Sequence, residues 1–214
     1  MNKVSRLVLG KCAFMVAMLG CVATAFGAEA NINCNFESGS VEKWQKNSAE
    51  TELAVTGDNL SGSCGKYALL ASSTARNVGI NYYAQIPVTD LTVIEFDIRW
   101  DAQMPFAYFA FTATDNKKRV FWLFAGTQNA INNPKRGEWF HVIVPATALK
   151  TDKGQQPEPG DVFTSFGMFQ VQVNGCPHRF MMDNFKIYEK DGLIESVDPK
   201  IFTDKTDSGA QKKP

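Results

Sequence analysis

The stretch Arg179–Lys190, RFMMDNFKIYEK, decides how the chain is read. Side chains alternate between the two faces of a β-strand, so Met181, Asp183, Phe185 and Ile187 fall on one face. Three of those four are apolar. The alternation therefore predicts a strand with that face buried and Asp183 turned inward. An unpaired carboxylate is costly there, so Asp183 requires a partner.

Working outward, the chain from Ile32 onward reads as about ten strands of the same kind. INCNFES, TELAVT, KYALLASS, VGINYYAQIPV, TVIEFDIRW, AYFAFTATD, RVFWLFAG, WFHVIVPA and FTSFGMFQVQV precede the opening stretch, all rich in β-branched or aromatic residues. Turn signals separate them at Thr56-Gly57-Asp58, Thr114-Asp115-Asn116, Asn133-Pro134, Pro157-Glu158-Pro159-Gly160 and Asn174-Gly175. No window favours an amphipathic helix, and no internal repeat is visible. Strands at that spacing predict an all-β antiparallel β-sandwich of the jelly-roll type.

The segments flanking this region have a different character. Residues 1–30 combine a basic start (Lys3, Arg6, Lys11), an apolar run from Cys12 to Ala23, and small residues at Ala25-Phe26-Gly27 and Ala28-Glu29-Ala30. That pattern predicts a cleaved signal peptide, hence a secreted, periplasmic or cell-surface protein. Lipoprotein processing at Cys21 is the alternative. Cleavage after Ala30 leaves 19 basic against 21 acidic residues, a net charge of −2. No electrostatic footprint for nucleic acid is present, and the mature chain has no membrane span. The remaining length of about 185 residues suits one sandwich domain over 31–190. The polar stretch 191–214 is expected to be a disordered tail.

Three cysteines survive cleavage (Cys34, Cys64, Cys176), and the chain has two histidines, His141 and His178. Their spacing fits no zinc motif and no nucleophile pair. In an exported chain, one disulfide and one leftover thiol are expected, with three pairings open.

The strands also distinguish their faces. In IEFDIRW, Ile94, Phe96, Ile98 and Trp100 form the apolar set, opposite Glu95, Asp97 and Arg99. In WFHVIV, Phe140, Val142 and Val144 face inward and Trp139, His141 and Ile143 outward. In FGMFQVQV, Phe169, Val171 and Val173 are read as inward, with Met168, Gln170 and Gln172 outward. This places planar and bidentate hydrogen-bonding groups on one outer surface.

Several short motifs recur in a recognisable order. Phe36-Glu37 and Gly39 precede Trp44; Gly65-Lys66-Tyr67-Ala68-Leu69 opens a strand; Phe96-Asp97 and Arg99 lie mid-chain. Gly137, Trp139, Val142, Val144 and Pro145 follow, and Asp183-Asn184-Phe185 with Ile187 ends the set. This order resembles that of galactose-binding-like β-sandwich modules, which include many carbohydrate-binding modules of exported glycoside hydrolases. The resemblance spans about Asn33 to Glu189. It implies a structural calcium where the first and last strands meet, held by the carboxylates of Glu37 and Asp183 and a carbonyl near Lys66. Calcium takes six to eight oxygen ligands, and such a set supplies part of them. Otherwise Asp183 caps backbone amides, or Asp183-Asn184 forms a bulge. A Cys34–Cys64 disulfide would brace the first strand against the calcium-side loop.

The resemblance implies a non-catalytic module binding a polysaccharide or glycan. The expected ligand-binding residues are Asp97, Arg99, Tyr108, Trp139, His141, Gln170 and Gln172. Tyr83 and Trp122 stand on strands with apolar residues on both faces. Two other readings are open. A structural or adhesion domain of the cell surface would keep the sandwich and take protein partners. IEFDIRWD also resembles the signature of laminarinase-like glycosidases, whose two glutamates flank an aspartate. Here Glu95 and Asp97 match, but the second glutamate is missing: Arg99 stands on the same face instead, and Asp101 comes beyond it in a turn, so the retaining glutamate pair is incomplete.

Overall fold

The computed structural model describes residues 32–57, 65–74, 77–101, 106–126, 137–172 and 178–190. The signal segment, the polar tail, Cys64, Cys176 and the Asn174-Gly175 turn lie outside the described residues, as do the side chains of Tyr108 and Gln172. Eleven strands are formed: β1 (Ile32–Cys34), β2 (Trp44–Lys46), β3 (Thr51–Thr56), β4 (Ala68–Ser73), β5 (Asn77–Pro87) and β6 (Thr92–Trp100). They continue with β7 (Phe106–Asp115), β8 (Val120–Gly126), β9 (Phe140–Pro145), β10 (Val162–Gln172) and β11 (His178–Glu189). The short β2, built around Trp44, is the one strand that sequence pattern did not anticipate. A single 3-10 turn, Ala146–Ala148, is the only helix among the described residues.

Two antiparallel sheets stack into a sandwich. The six-stranded sheet runs β3-β4-β11-β6-β9, with β1 also paired to β11; the five-stranded sheet runs β2-β5-β10-β7-β8. Their inner faces hold an aromatic core. Phe185 sits at its centre, with its ring centroid 5.0 Å from Trp44, 5.9 Å from Tyr82 and Phe166, and 6.3 Å from Phe111. Edge-on and tilted contacts of this kind add to the gain from burying the rings.

Strand β11 departs from simple alternation. Phe180 and Met182 face the core before a bulge, and Phe185 and Ile187 after it. The bulge is Asp183-Asn184, with Asn184 in the left-handed region at φ 51°, a conformation asparagine tolerates better than most residues. The expectation that Met181 and Asp183 share the inner face with Phe185 and Ile187 is therefore corrected. An inserted residue shifts the period-2 pattern by one, and Asp183 pairs with Asp97 on the outer side of the sheet while remaining fully buried. The bulge has a topological cause. One flank of β11 pairs with β4 up to Met182 and with β1 from Phe185 onward, so Asp183-Asn184 occupies the gap between two partners.

Strand β10 contains a second irregularity, between Phe163 and Ser165. Beyond it, Phe166, Met168 and Gln170 are fully buried, whereas Phe169 and Val171 are half-buried. The expected faces of this strand are thus reversed.

Candidate functional site

The sequence-predicted residues do not converge on one surface. Asp97, Arg99 and His141 lie on the outer face of the six-stranded sheet, whereas Tyr108, Gln170 and Gln172 belong to the five-stranded sheet. Gln170 points into the sandwich, flanked in register by Val78 and Phe109, and so leaves the list of surface candidates. Trp139 is half-buried ahead of β9, its Nε1 shielded from solvent without a hydrogen-bond partner among the described residues.

On the six-stranded sheet the charged groups are paired with one another. Asp97 is only 8% exposed. His141 Nδ1 donates to its Oδ1 at 2.8 Å, and Asn184 Nδ2 donates to its Oδ2 at 2.8 Å. This second bond ties the strained Asn184 to β6. Glu95 accepts from Tyr188 Oη at 2.7 Å and from Lys186 Nζ at 3.2 Å. Burial works to raise the pKa of Glu95, but those hydrogen bonds and the nearby positive charge outweigh it and hold the group below its ordinary range. Burial and the same carboxylate push the Tyr188 hydroxyl up to about 12. Arg179 Nε closes on Asp101 Oδ2 at 2.5 Å. This ladder of mutual pairs is what a solvated outer face carries, and it leaves Glu95 and Asp97 committed to neighbours.

Of the predicted calcium ligands, Glu37 meets the backbone of Lys66, and Asp183 lies in the break of β11 between β4 and β1. Glu37 follows β1 and Lys66 precedes β4, so both segments approach the β11 gap that holds Asp183. Glu37 Oε1 accepts the backbone N–H of Lys66 at 2.9 Å and of Tyr67 at 3.0 Å. Gly65, at φ 89°, makes the approach possible, because a Cβ there would lie 2.1 Å from Glu37 Oε1. Asp183 Oδ1 accepts the N–H of Asn184 at 2.7 Å. No group of three or more His, Cys, Asp or Glu side chains suited to a metal occurs among the described residues. Two carboxylates and loop carbonyls are nonetheless the hard oxygen donors calcium takes, so the residues fit it in kind.

Cys34 is a free thiol buried beside Glu42, Trp44 and Tyr82. The expected Cys34–Cys64 bridge is not formed. Burial first, and then the Glu42 carboxylate, push the thiol far above its ordinary pKa, which makes it unreactive.

The outer face of the five-stranded sheet has a different chemistry. Tyr83 is 55% exposed, and Asn81 stands two residues away on the same face of β5. Across the sheet, the rings of Trp122 and Phe169 meet edge to face, 5.8 Å apart. Between them the floor is cut low by two glycines. A Cβ on Gly167 would lie 2.7 Å from Thr112 Oγ1 and 3.1 Å from Asn81 Oδ1, and one on Gly79 would lie 2.0 Å from Asn47 Nδ2. The amides of Asn47 and Asn81 therefore lie close against the sheet. Trp122 is fixed through its backbone, which exchanges hydrogen bonds with Lys150 at 2.8 and 3.2 Å beyond the edge strand. Sequence reasoning missed Asn47, Asn81, Thr112 and Phe169. The alternation of Val78, Ile80 and Tyr82 with Gly79, Asn81 and Tyr83 was the available signal.

No protein-family model matches the chain, and no curated protein does. Among solved structures it is similar to an exo-β-agarase, with a TM-score of 0.52 and 11% identity over 78% of this chain and 26% of that one. The chain thus spans about a quarter of that enzyme's length. Its other structural neighbours include carbohydrate-binding β-sandwiches. One is the family 11 carbohydrate-binding module of Clostridium thermocellum, in complex with a β-1,3-1,4-mixed-linked tetrasaccharide (TM-score 0.48, 14% identity, 74% of this chain and 95% of that one). Another is CBM27-1 of Caldicellulosiruptor saccharolyticus, in complex with mannohexaose (TM-score 0.46, 16% identity, 76% and 98%). At these identities the likeness is one of fold.

Proposed function

We propose that this protein is a secreted, non-catalytic carbohydrate-binding module that holds a polysaccharide or glycan on the outer face of its five-stranded sheet. The observation that carries the reading is the pairing of the exposed Tyr83 and the half-buried rings of Trp122 and Phe169 with amides lying over Gly79 and Gly167. Sugars present C–H faces to aromatic rings and hydroxyls to planar hydrogen-bonding groups, and a shallow floor lets a chain lie across them. The paired charges of the opposite sheet offer no such surface. A calcium held by Glu37, Asp183 and a carbonyl near Lys66 would lock β1, β4 and β11 together, far in function from the sugar face. If EDTA leaves the melting temperature of metal-loaded protein unchanged, no such ion is bound.

Affinity electrophoresis through gels containing plant, algal and mucin polysaccharides tests the binding itself. Retardation by at least one polymer is expected, abolished by Trp122→Ala and retained by His141→Ala. Free migration of the folded protein through every gel would move the reading to a structural or adhesion domain.

A further inference from the structure

The two outer faces of the sandwich differ in charge. The six-stranded sheet displays Glu95, Asp97, Arg99, His141, Arg179 and Lys186. On the five-stranded sheet, no described residue that the register places on the outer face carries a charge. From β2 to β8 that surface is amide, hydroxyl, glycine, aromatic ring and small aliphatic side chain. Lys150, bridged to Trp122 beyond the edge strand, is the one cation that the register brings to this side.

Resting on the reading above, we infer that the glycan this face takes is uncharged: a neutral polysaccharide rather than a uronate-bearing or sulfated one. Tyr83 and Trp122 lie on strands three apart, so a ligand touching both crosses about 14 Å of sheet and contacts several sugar residues. A polyanion charged on most of its residues would lay several charges over a floor that has no cation among its described residues. Carboxylates and sulfates removed from water need charge-assisted partners, typically arginine forks, and Lys150 at one rim supplies a single one. Neutral hydroxyls need only the dipoles present here: the Asn47 and Asn81 amides, and Thr112 Oγ1 beside them.

The test uses polymers matched in backbone and differing in charge: hydroxyethylcellulose against carboxymethylcellulose, desulfated κ-carrageenan against κ-carrageenan, and fully methyl-esterified against de-esterified homogalacturonan. Each is cast in native gels with the folded protein and its Trp122→Ala variant. The expected result is retardation by the neutral member of at least one pair, at least tenfold weaker retardation by its charged partner, and loss in Trp122→Ala. For that polymer, affinity should change less than twofold from roughly 0.02 to 1 M NaCl, because no ion pair is there to be screened. Equal or stronger binding to a charged member, lost in Trp122→Ala, would overturn the neutral assignment and leave the binding face intact. Absence of binding to all six polymers, and to the wider panel, would overturn the binding face and the neutral assignment together.

Discussion

Removing the Arg119 guanidinium should cost this fold more than any other surface-accessible change. Asp115 and Asp161 are both essentially inaccessible, and Arg119, 22% exposed, spans them with Nε 2.7 Å from Asp115 Oδ2 and Nη2 2.5 Å from Asp161 Oδ2. The bridge locks the β7–β8 turn to the loop entering β10. Arg119→Met keeps an apolar stem over Phe121, where the guanidinium carbon now sits 5.2 Å from the ring centroid. One charge-assisted hydrogen bond to Asp115, about 1.5–3 kcal/mol when buried, and the close ion pair to Asp161 are lost. Asp115 keeps two backbone donors at Oδ1, and Asp161 keeps Lys117 Nζ at 2.8 Å and the Glu158 N–H at 2.8 Å. With these partners retained and the arginine partly solvated, the expected loss is about 3 kcal/mol, the lower end for a broken buried pair. That corresponds to a fall of about 6–12 °C in Tm for a domain of this size, read by differential scanning calorimetry. The pH dependence gives the sign a separate test. Burial alone would raise Asp161, but its bonds from Lys117, Glu158 and Arg119 prevail and hold it below its ordinary 3.8. A carboxylate depressed on folding stabilises above its unfolded pKa and loses that contribution as pH falls through the folded value. The wild-type advantage should therefore persist from neutral pH down to about 4 and narrow below it. A change in Tm under about 2 °C at pH 7, or a gap that widens in acid, would show that Arg119 does not bridge the two aspartates.

Three further outcomes are expected. Gly65→Ala should lower stability by about 2–3 kcal/mol, because it adds a left-handed φ penalty to a Cβ that displaces Glu37 from the Lys66 and Tyr67 amides. Gly39→Ala, whose Cβ meets nothing within 4 Å, should cost only about 1 kcal/mol; equal effects in the two variants' urea melts would remove the Glu37 tether from the account. Trp122→Ala should weaken glycan binding by about 30-fold, the loss of a hot-spot aromatic of about 2 kcal/mol, with Tm little changed; isothermal titration reads both variant and wild type. Cys34 should resist a thiol reagent in native buffer and react fully in denaturant, whereas rapid native labelling at Cys34 would contradict its burial.

The sandwich was legible because most strands alternate cleanly. Ile94, Phe96, Ile98 and Trp100 face inward as the pattern of β6 required, and Val142 and Val144 do so in β9. The site was less legible, for one physical reason that appears twice. In β11 the Asp183-Asn184 bulge, and in β10 the irregularity at Thr164, insert a residue that moves everything beyond it to the other face. Reading β10 without that shift turned Gln170 outward and Phe169 inward. Nothing in FTSFGMFQVQV announces the bulge, since apolar residues stand at both parities. Which sheet each strand joins was equally hidden: β6 and β10 read alike as strands, yet their outer faces lie on opposite sides of the molecule. The motif order did bring Glu37 and Lys66 together, Glu37 Oε1 accepting the Lys66 N–H, because β1 and β4 flank β11 on the same side.

The most direct test of the account is a titration of isotope-labelled protein with an oligosaccharide of whichever polymer retards it, followed by amide and indole NMR shifts. The largest shifts should fall on the Trp122 indole and on Asn47, Asn81, Tyr83 and Phe169, with Asp97, Arg99 and His141 unmoved. Shifts centred on Asp97, Arg99 and His141 would place the ligand on the six-stranded sheet and contradict the proposed binding face.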